Sequence, residues 1–134
     1  MRAGNDAFAK KDYEEATRLY SEAIDLDPEN HVYHSNLSAC HALKGDHRKA
    51  ALEARECIRL DPAFVKGYYR LATAQTELGE LDEALATVGK GLAKDPSNGD
   101  LLRQQRMLRA KRSSSSPSLS NSAAQRGSNQ GRTG

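Results

Sequence analysis

No run of apolar residues in this 134-residue chain approaches the ~20 needed to cross a bilayer, which excludes a membrane-spanning helix. The N-terminal stretch MRAGNDAFAKKDY lacks the apolar core of a secretory signal, which argues against export and for a cytoplasmic protein. Cysteine is scarce. Cys40 and Cys57 form no recognisable framework and read as reduced, semi-buried side chains. An excess of charge is missing as well. The formal net charge is +2, and Arg126 and Arg132 in the C-terminal tail account for all of it, leaving residues 1–112 neutral. Bulk nucleic-acid binding needs a concentrated basic face, so any charge-based recognition here is local. A catalytic constellation is also lacking. The glycines of GND, KGD and LGE sit at helix turns, not in a phosphate-binding loop, and repeat positions account for the carboxylates. These features point away from an enzyme and from any cofactor.

What is present is internal repetition. Pro28, Pro62 and Pro96 lie 34 residues apart, and the same step relates Ala16, Ala50 and Ala84. It also relates Ala23, Cys57 and Gly91, all small, and Ile24, Ile58 and Leu92, while Gly45 and Gly79 find Lys11 at the first-repeat equivalent. A 34-residue period with helical spacing inside each unit is the tetratricopeptide signature. The expected fold is therefore all-α: a right-handed α-solenoid of three helix-turn-helix repeats, near 1–30, 31–64 and 65–98, with a C-terminal capping helix.

Each unit reads as helix A, turn, helix B, turn. In DYEEATRLYSEAIDL, Asp12 can cap helix B and Glu15 can close a capping box. Ala16, Tyr20, Ala23 and Ile24 fall on one helical face; Ala50, Ala54, Cys57 and Ile58 repeat it, as do Ala84, Val88, Gly91 and Leu92. The prolines close each helix B, and Gly45 and Gly79 mark the turn between A and B. Gly4 aligns with Ser38 and Ala72, so the first helix A is expected to start ahead of the chain, with about one turn missing.

Residues 97–112 are expected to form the capping helix, with Ser97 as its cap and Asp100 three residues on. Leu101 and Leu108 pack back, while Arg103, Gln104 and Arg106 face water; stacked repeats need such an end. Residues 113–134 hold eight serines and no acid, and are expected to be disordered. KRSSSSPS sets serines after basic residues and one before proline, patterns that kinases use. A phosphate there would add about −1.5 to −2 charge beside Arg109, Lys111 and Arg112.

His31 and His34 stand at i, i+3 with Cys40 further on, but zinc needs four converging ligands, or three for an open site. His34 instead fills the large repeat position of Tyr68, and His41 and His47 have no partner pattern, so no metal site is expected. The A helices line the concave face of such an array. Lys66 and Arg70 lie at i, i+4, where their mutual repulsion costs a few tenths of a kcal/mol. Asn36 holds the repeat position of Arg70 one unit earlier, and Asn5 lies on the first A helix. Two amides and two cations in one groove would suit a carboxylate; the same residues also fit an ordinary solvated surface.

The segments GNDAFAKKDYEEATRLYSEAIDLDPEN, HVYHSNLSAC and FVKGYYRLATAQTELG closely resemble co-chaperone tetratricopeptide domains, over residues 1–112. The nearest likeness is to the N-terminal domain of the Hsp-organizing (stress-induced phosphoprotein) family. That resemblance implies an adaptor, and the chain is expected to be a monomer. Its groove would hold the C-terminal Glu-Glu-Val-Asp tail of the seventy- or ninety-kilodalton heat-shock chaperones in a two-carboxylate clamp. Carried over residue by residue, Asn5 matches the first clamp Asn, Asn36 the second, Lys66 the later Lys and Arg70 the Arg. The family's early Lys falls at Met1, where the α-amino group stands in, Arg2 reaches across, or the clamp is weakened. Leu37 stands where the family commonly has Arg. The alternatives are a scaffold repeat binding a segment without a free carboxylate, and a targeting domain of a larger enzyme.

Overall fold

Turn chemistry at the 34-residue step cuts the chain into helices. The computed structural model describes residues 2–115, which form α1 (Arg2–Ala9), α2 (Tyr13–Leu26), α3 (His31–Leu43), α4 (His47–Leu60), α5 (Val65–Glu77), α6 (Leu81–Lys94) and α7 (Gly99–Ser115). Among the described residues there is no strand, and no helix is long and apolar enough to cross a membrane. The Ser-rich segment expected to be disordered lies, from residue 116 on, outside the described residues.

Each A-to-B turn needs one residue in the left-handed region. Lys11, Gly45 and Gly79 supply it, with φ of 61°, 84° and 81°. Glycine adopts this conformation without steric cost, whereas a side chain there costs about 1–2 kcal/mol. Asp12, Asp46 and Glu80 then cap α2, α4 and α6. The Asp12 and Asp46 carboxylates accept the backbone N–H groups of Glu15 (3.1 Å) and Lys49 (3.3 Å). Glu80 makes no such bond. The capping box at Asp12 is only half formed, because the Glu15 carboxylate turns to Arg18 instead, at 2.6 Å.

The exits repeat too. Asp27, Asp61 and Asp95 return their N–H groups to the carbonyls of Ala23, Cys57 and Gly91, and the following prolines cannot extend the helix. His34 does fill the Tyr68 position. Its ring bonds the Pro28 carbonyl (3.3 Å), as the Tyr68 hydroxyl donates to the Pro62 carbonyl (2.8 Å). The other ring nitrogen of His34 meets Glu53 at 2.8 Å.

Consecutive helices pack in order from α1 to α7, and α3 touches α5, which touches α7. Small residues make this close stacking possible. Ala16, Ala50 and Ala84 are fully buried, and the apolar interior forms three clusters along the array. At Gly91 a Cβ would meet Leu101 Cδ1 at 2.7 Å, so α7 docks where α6 has no side chain.

The capping helix differs from the sequence reading at three points. Its cap is Asn98, whose Oδ1 accepts the Leu101 N–H at 3.0 Å, while Ser97 donates to Asp95 at 3.4 Å. It runs to Ser115 instead of ending at residue 112, since no helix breaker follows before Pro117. Gln104 is buried instead of solvated. Its Nε2 donates to the Tyr69 carbonyl (3.2 Å) and Thr73 Oγ1 (3.0 Å), which offsets burial of the amide nitrogen, while its Oε1 is buried without a partner. Leu101 and Leu108 are sealed inside, and Arg103 and Arg106 are exposed, as their spacing implied.

Candidate functional site

Stacking in register carries equivalent positions of successive A helices to one side of the array. Asn5 on α1, Asn36 on α3 and Arg70 on α5 line a single pocket of about 250 Å³, with Phe8, Ala9 and Ala39 on its walls and Tyr20 of α2 beside them. Lys66, one helical turn before Arg70, lies in an adjoining pocket of about 440 Å³ formed with Arg70, Tyr69, Phe64, Asn98 and Asp100. Arg70 is the wall common to both. Of the four residues singled out from sequence, three thus share one pocket and the fourth flanks it.

Arg70 is half-buried, and its Nε is sealed from solvent without a hydrogen-bond partner. Burial pulls its pKa below the usual guanidinium range, and the groups that act against this are Tyr69, Cys40, Cys57 and Tyr20. None of these is a carboxylate. Burial also pushes the Tyr20 phenol and the Cys40 thiol up, and the Cys57 thiol up to about 11. At neutral pH these groups are therefore protonated and neutral, and they leave the guanidinium charge uncompensated. Among the described residues no carboxylate forms an ion pair with Lys66 or Arg70, although Arg18, Lys44, Lys49, Arg59, Arg103 and Arg112 all have one. An unpaired, partly desolvated cation is costly, and an anion entering the pocket relieves that cost.

The amides add neutral donors. The Tyr20 hydroxyl donates to Asn5 Oδ1 across the α1–α2 interface, so the Asn5 Nδ2 hydrogens remain for another acceptor. Asn36 is half-buried at the pocket edge. The result is one guanidinium, one ammonium nearby and two carboxamides, a donor set matched to a carboxylate and ill-matched to a cation.

Leu37, the departure beside Asn36, does not face this site. It is 5% exposed and packs with Ala7, Ala16, Tyr20 and Cys40. Tyr20 is the site residue that the sequence reading placed only in the packing face. Its 34-residue equivalents are Ala54 and Val88, so no repeat pattern flags its hydroxyl. Its presence in a row of otherwise small or aliphatic residues is the one signal available. The histidines lie elsewhere: His31 sits 3.4 Å from Asp61 with its ring edge-on to Phe64. Among the described residues no three His, Cys, Asp or Glu side chains cluster to hold a metal.

Comparisons with known proteins bear on the family and the fold. Family models described as tetratricopeptide repeat match residues 1–63 and 41–111. The heat shock protein sti1 homolog of Schizosaccharomyces pombe is 42% identical over 99 residues, covering 74% of this chain and 17% of that protein. The chain thus spans under a fifth of that relative's length. Among solved structures, the Sgt2 TPR domain from Aspergillus fumigatus superposes with a TM-score of 0.82 at 27% identity, covering 92% of this chain and 83% of that one. The TPR2B domain of yeast Sti1, solved as a complex with pHsp70, gives a TM-score of 0.76 at 33% identity over 84% of this chain and 91% of that one.

Proposed function

The chain belongs to the tetratricopeptide repeat family, and from that footing we propose that it is a co-chaperone adaptor whose groove takes the free C-terminus of an acidic peptide. The ligand is the Glu-Glu-Val-Asp tail of seventy- or ninety-kilodalton heat-shock chaperones. Asn5, Asn36 and Arg70 hold the terminal carboxylates, and Lys66 meets the peptide from the adjoining pocket. Residues 1–112 form the binding domain. It acts as a monomer in the cytoplasm, by docking and not by catalysis, and needs no metal or cofactor.

The uncompensated Arg70 cation carries this reading. Its guanidinium, with only the neutral Tyr20 phenol and the neutral Cys40 and Cys57 thiols acting against its desolvation besides Tyr69, shares a pocket with two carboxamides, and a carboxylate is the ligand that satisfies all of them. The likeness to a Sti1 domain solved with pHsp70 supports the choice of chaperone tail.

Isothermal titration of the 134-residue chain with a peptide ending in Glu-Glu-Val-Asp, as free acid and as C-terminal amide, tests the proposal. A hydrogen bond to a charged group contributes about 1.5–3 kcal/mol. The amide is therefore expected to bind at least about tenfold more weakly. Equal affinity for both forms would identify the groove as a scaffold indifferent to the carboxylate.

A further inference from the structure

Tyr20 belongs to α2, outside the A helices that supply the clamp, yet it lines the pocket that holds Asn5, Asn36 and Arg70. Only 2% of it is exposed, and its hydroxyl donates to Asn5 Oδ1. We propose that Tyr20 is a positioning residue, whose phenol fixes the Asn5 carboxamide with its N–H donors toward the ligand. This inference rests on the carboxylate-binding reading given above.

Hydrogen-bond valence sets the orientation. A carboxamide has one face that accepts and one that donates, and the two are nearly identical in shape. With Oδ1 toward the groove, Asn5 would set lone pairs against an incoming carboxylate and repel it. With Nδ2 toward the groove, it offers donors. An isolated asparagine on an exposed helix has little reason to choose.

The buried phenol supplies the reason. In the observed arrangement its O–H has an acceptor. If the amide flipped, Nδ2 would face the phenol oxygen, and the phenol proton would have to find another acceptor in an enclosed space. Leaving a buried donor unpaired is unfavourable. Tyr20 therefore biases Asn5 toward its donating orientation before any ligand arrives, and the ligand need not reorient it.

The geometry also fixes the phenol. A Cβ on Gly4 would lie 2.8 Å from Tyr20 Cε1, so the ring runs directly beneath α1, one residue before Asn5. The ring, 2% exposed, is thereby held against α1 with its hydroxyl at Asn5. Gly4, Asn5 and Tyr20 act as one unit, with Gly4 admitting the ring and the ring orienting the amide.

Tyr20→Phe removes the hydroxyl and keeps the ring. A neutral orienting bond corresponds to about a fivefold loss in affinity for the free-acid Glu-Glu-Val-Asp peptide. The loss is expected to vanish in an Asn5→Ala background, because the hydroxyl then has no amide to orient. Thermal melts run alongside report any change in fold. Tyr20→Phe binding the free acid as tightly as the parent would overturn the inference. So would an undiminished loss in the Asn5→Ala background, which would make Tyr20 a purely structural residue. A parent chain that does not bind the free acid removes the carboxylate reading, and this inference with it. A parent that binds while Tyr20→Phe is unaffected removes this inference alone.

Discussion

Gly4 and Tyr20 are in such close register that a methyl group on Gly4 would lie 2.8 Å from Cε1 of the tyrosine ring and 3.0 Å from Cδ1. Two opposed effects follow from Gly4→Ala. Alanine favours the helix by about 1 kcal/mol. Overpacking against a ring enclosed by Leu37, Ala16 and Cys40 costs about 1–3 kcal/mol, and the ring cannot retreat without breaking its bond to Asn5. The clash wins. Gly4→Ala is expected to lower the melting temperature modestly and to weaken peptide binding by more than the stability loss explains. Calorimetric melts and titration of the same preparation check both.

Gly89 and Gly91 give a paired experiment on one helix. Both lie inside α6, and both become better helix formers as alanine, by about 0.8–1 kcal/mol. Nothing lies within 4 Å of a Cβ at Gly89. At Gly91 the Cβ would meet Leu101 at 2.7 Å and the Tyr68 Cβ at 3.0 Å. Gly89→Ala is therefore expected to stabilise the fold by nearly the full propensity difference. Gly91→Ala is expected to destabilise it and to loosen α7 first. Hydrogen exchange at α7 amides distinguishes the two variants even where their melting temperatures lie close together.

The parts of the structure legible in the sequence are those that repeat. Ala16, Ala50 and Ala84 announce a packing face because the same helix pair must stack three times. Asn36 and Arg70 could be placed together because a shared repeat position becomes a shared side of the array. The parts that were not legible belong to one repeat only. The Tyr20 hydroxyl finds Asn5 across a helix interface, and nothing at Ala54 or Val88 hints at that bond. Gln104 looked like a solvent residue because its neighbours Arg103 and Arg106 are exposed, yet α5 offers it a carbonyl and a hydroxyl. Asn98 displaced Ser97 as the α7 cap by a shift of one residue, a choice that depends on where the chain leaves Pro96. Periodicity reports what every unit shares, and the site depends partly on what one unit does alone.

His41 links stability to pH. It is buried on α3, and its Nδ1 has no hydrogen-bond partner. Burial, followed by the charge of Lys44, holds its pKa below the ordinary 6.5; Glu53 and Asp46 pull the other way, and Lys49 adds to the depression. The folded chain therefore takes up this proton less readily than the unfolded chain. The contribution to stability is intact above the unfolded value and is lost as pH falls from there through the folded value. Melting temperature should decline as pH falls from 7.5 toward about 5.5, and His41→Gln should flatten that part of the profile. An unchanged slope in the variant would assign the acid sensitivity to other groups.

Arg70 sets stability against binding. Its guanidinium is partly desolvated, its Nε is unpaired, and the Tyr20 phenol and the Cys40 and Cys57 thiols, which act against its desolvation, are neutral at physiological pH. In the unliganded chain this is a cost with no counter-charge to offset it. Methionine has a similar reach and no charge, so Arg70→Met exchanges a desolvated cation for an apolar side chain in the pocket it shares with Tyr20, Phe8 and Ala39. Replacing buried ionic groups with hydrophobic ones is often neutral or stabilising. Arg70→Met is therefore expected to leave stability unchanged or raise it by about 1 kcal/mol. The same change removes the carboxylate's strongest donor, and affinity for the free-acid peptide is expected to fall at least about tenfold. Arg70→Lys should recover only part of this, because an ammonium cannot present two parallel N–H groups to one carboxylate. Chemical denaturation and titration of the three proteins measure both quantities. A variant that lost stability and affinity together would make Arg70 a structural residue. A variant that kept or gained stability while losing the ligand would show that the fold carries this cation for its partner.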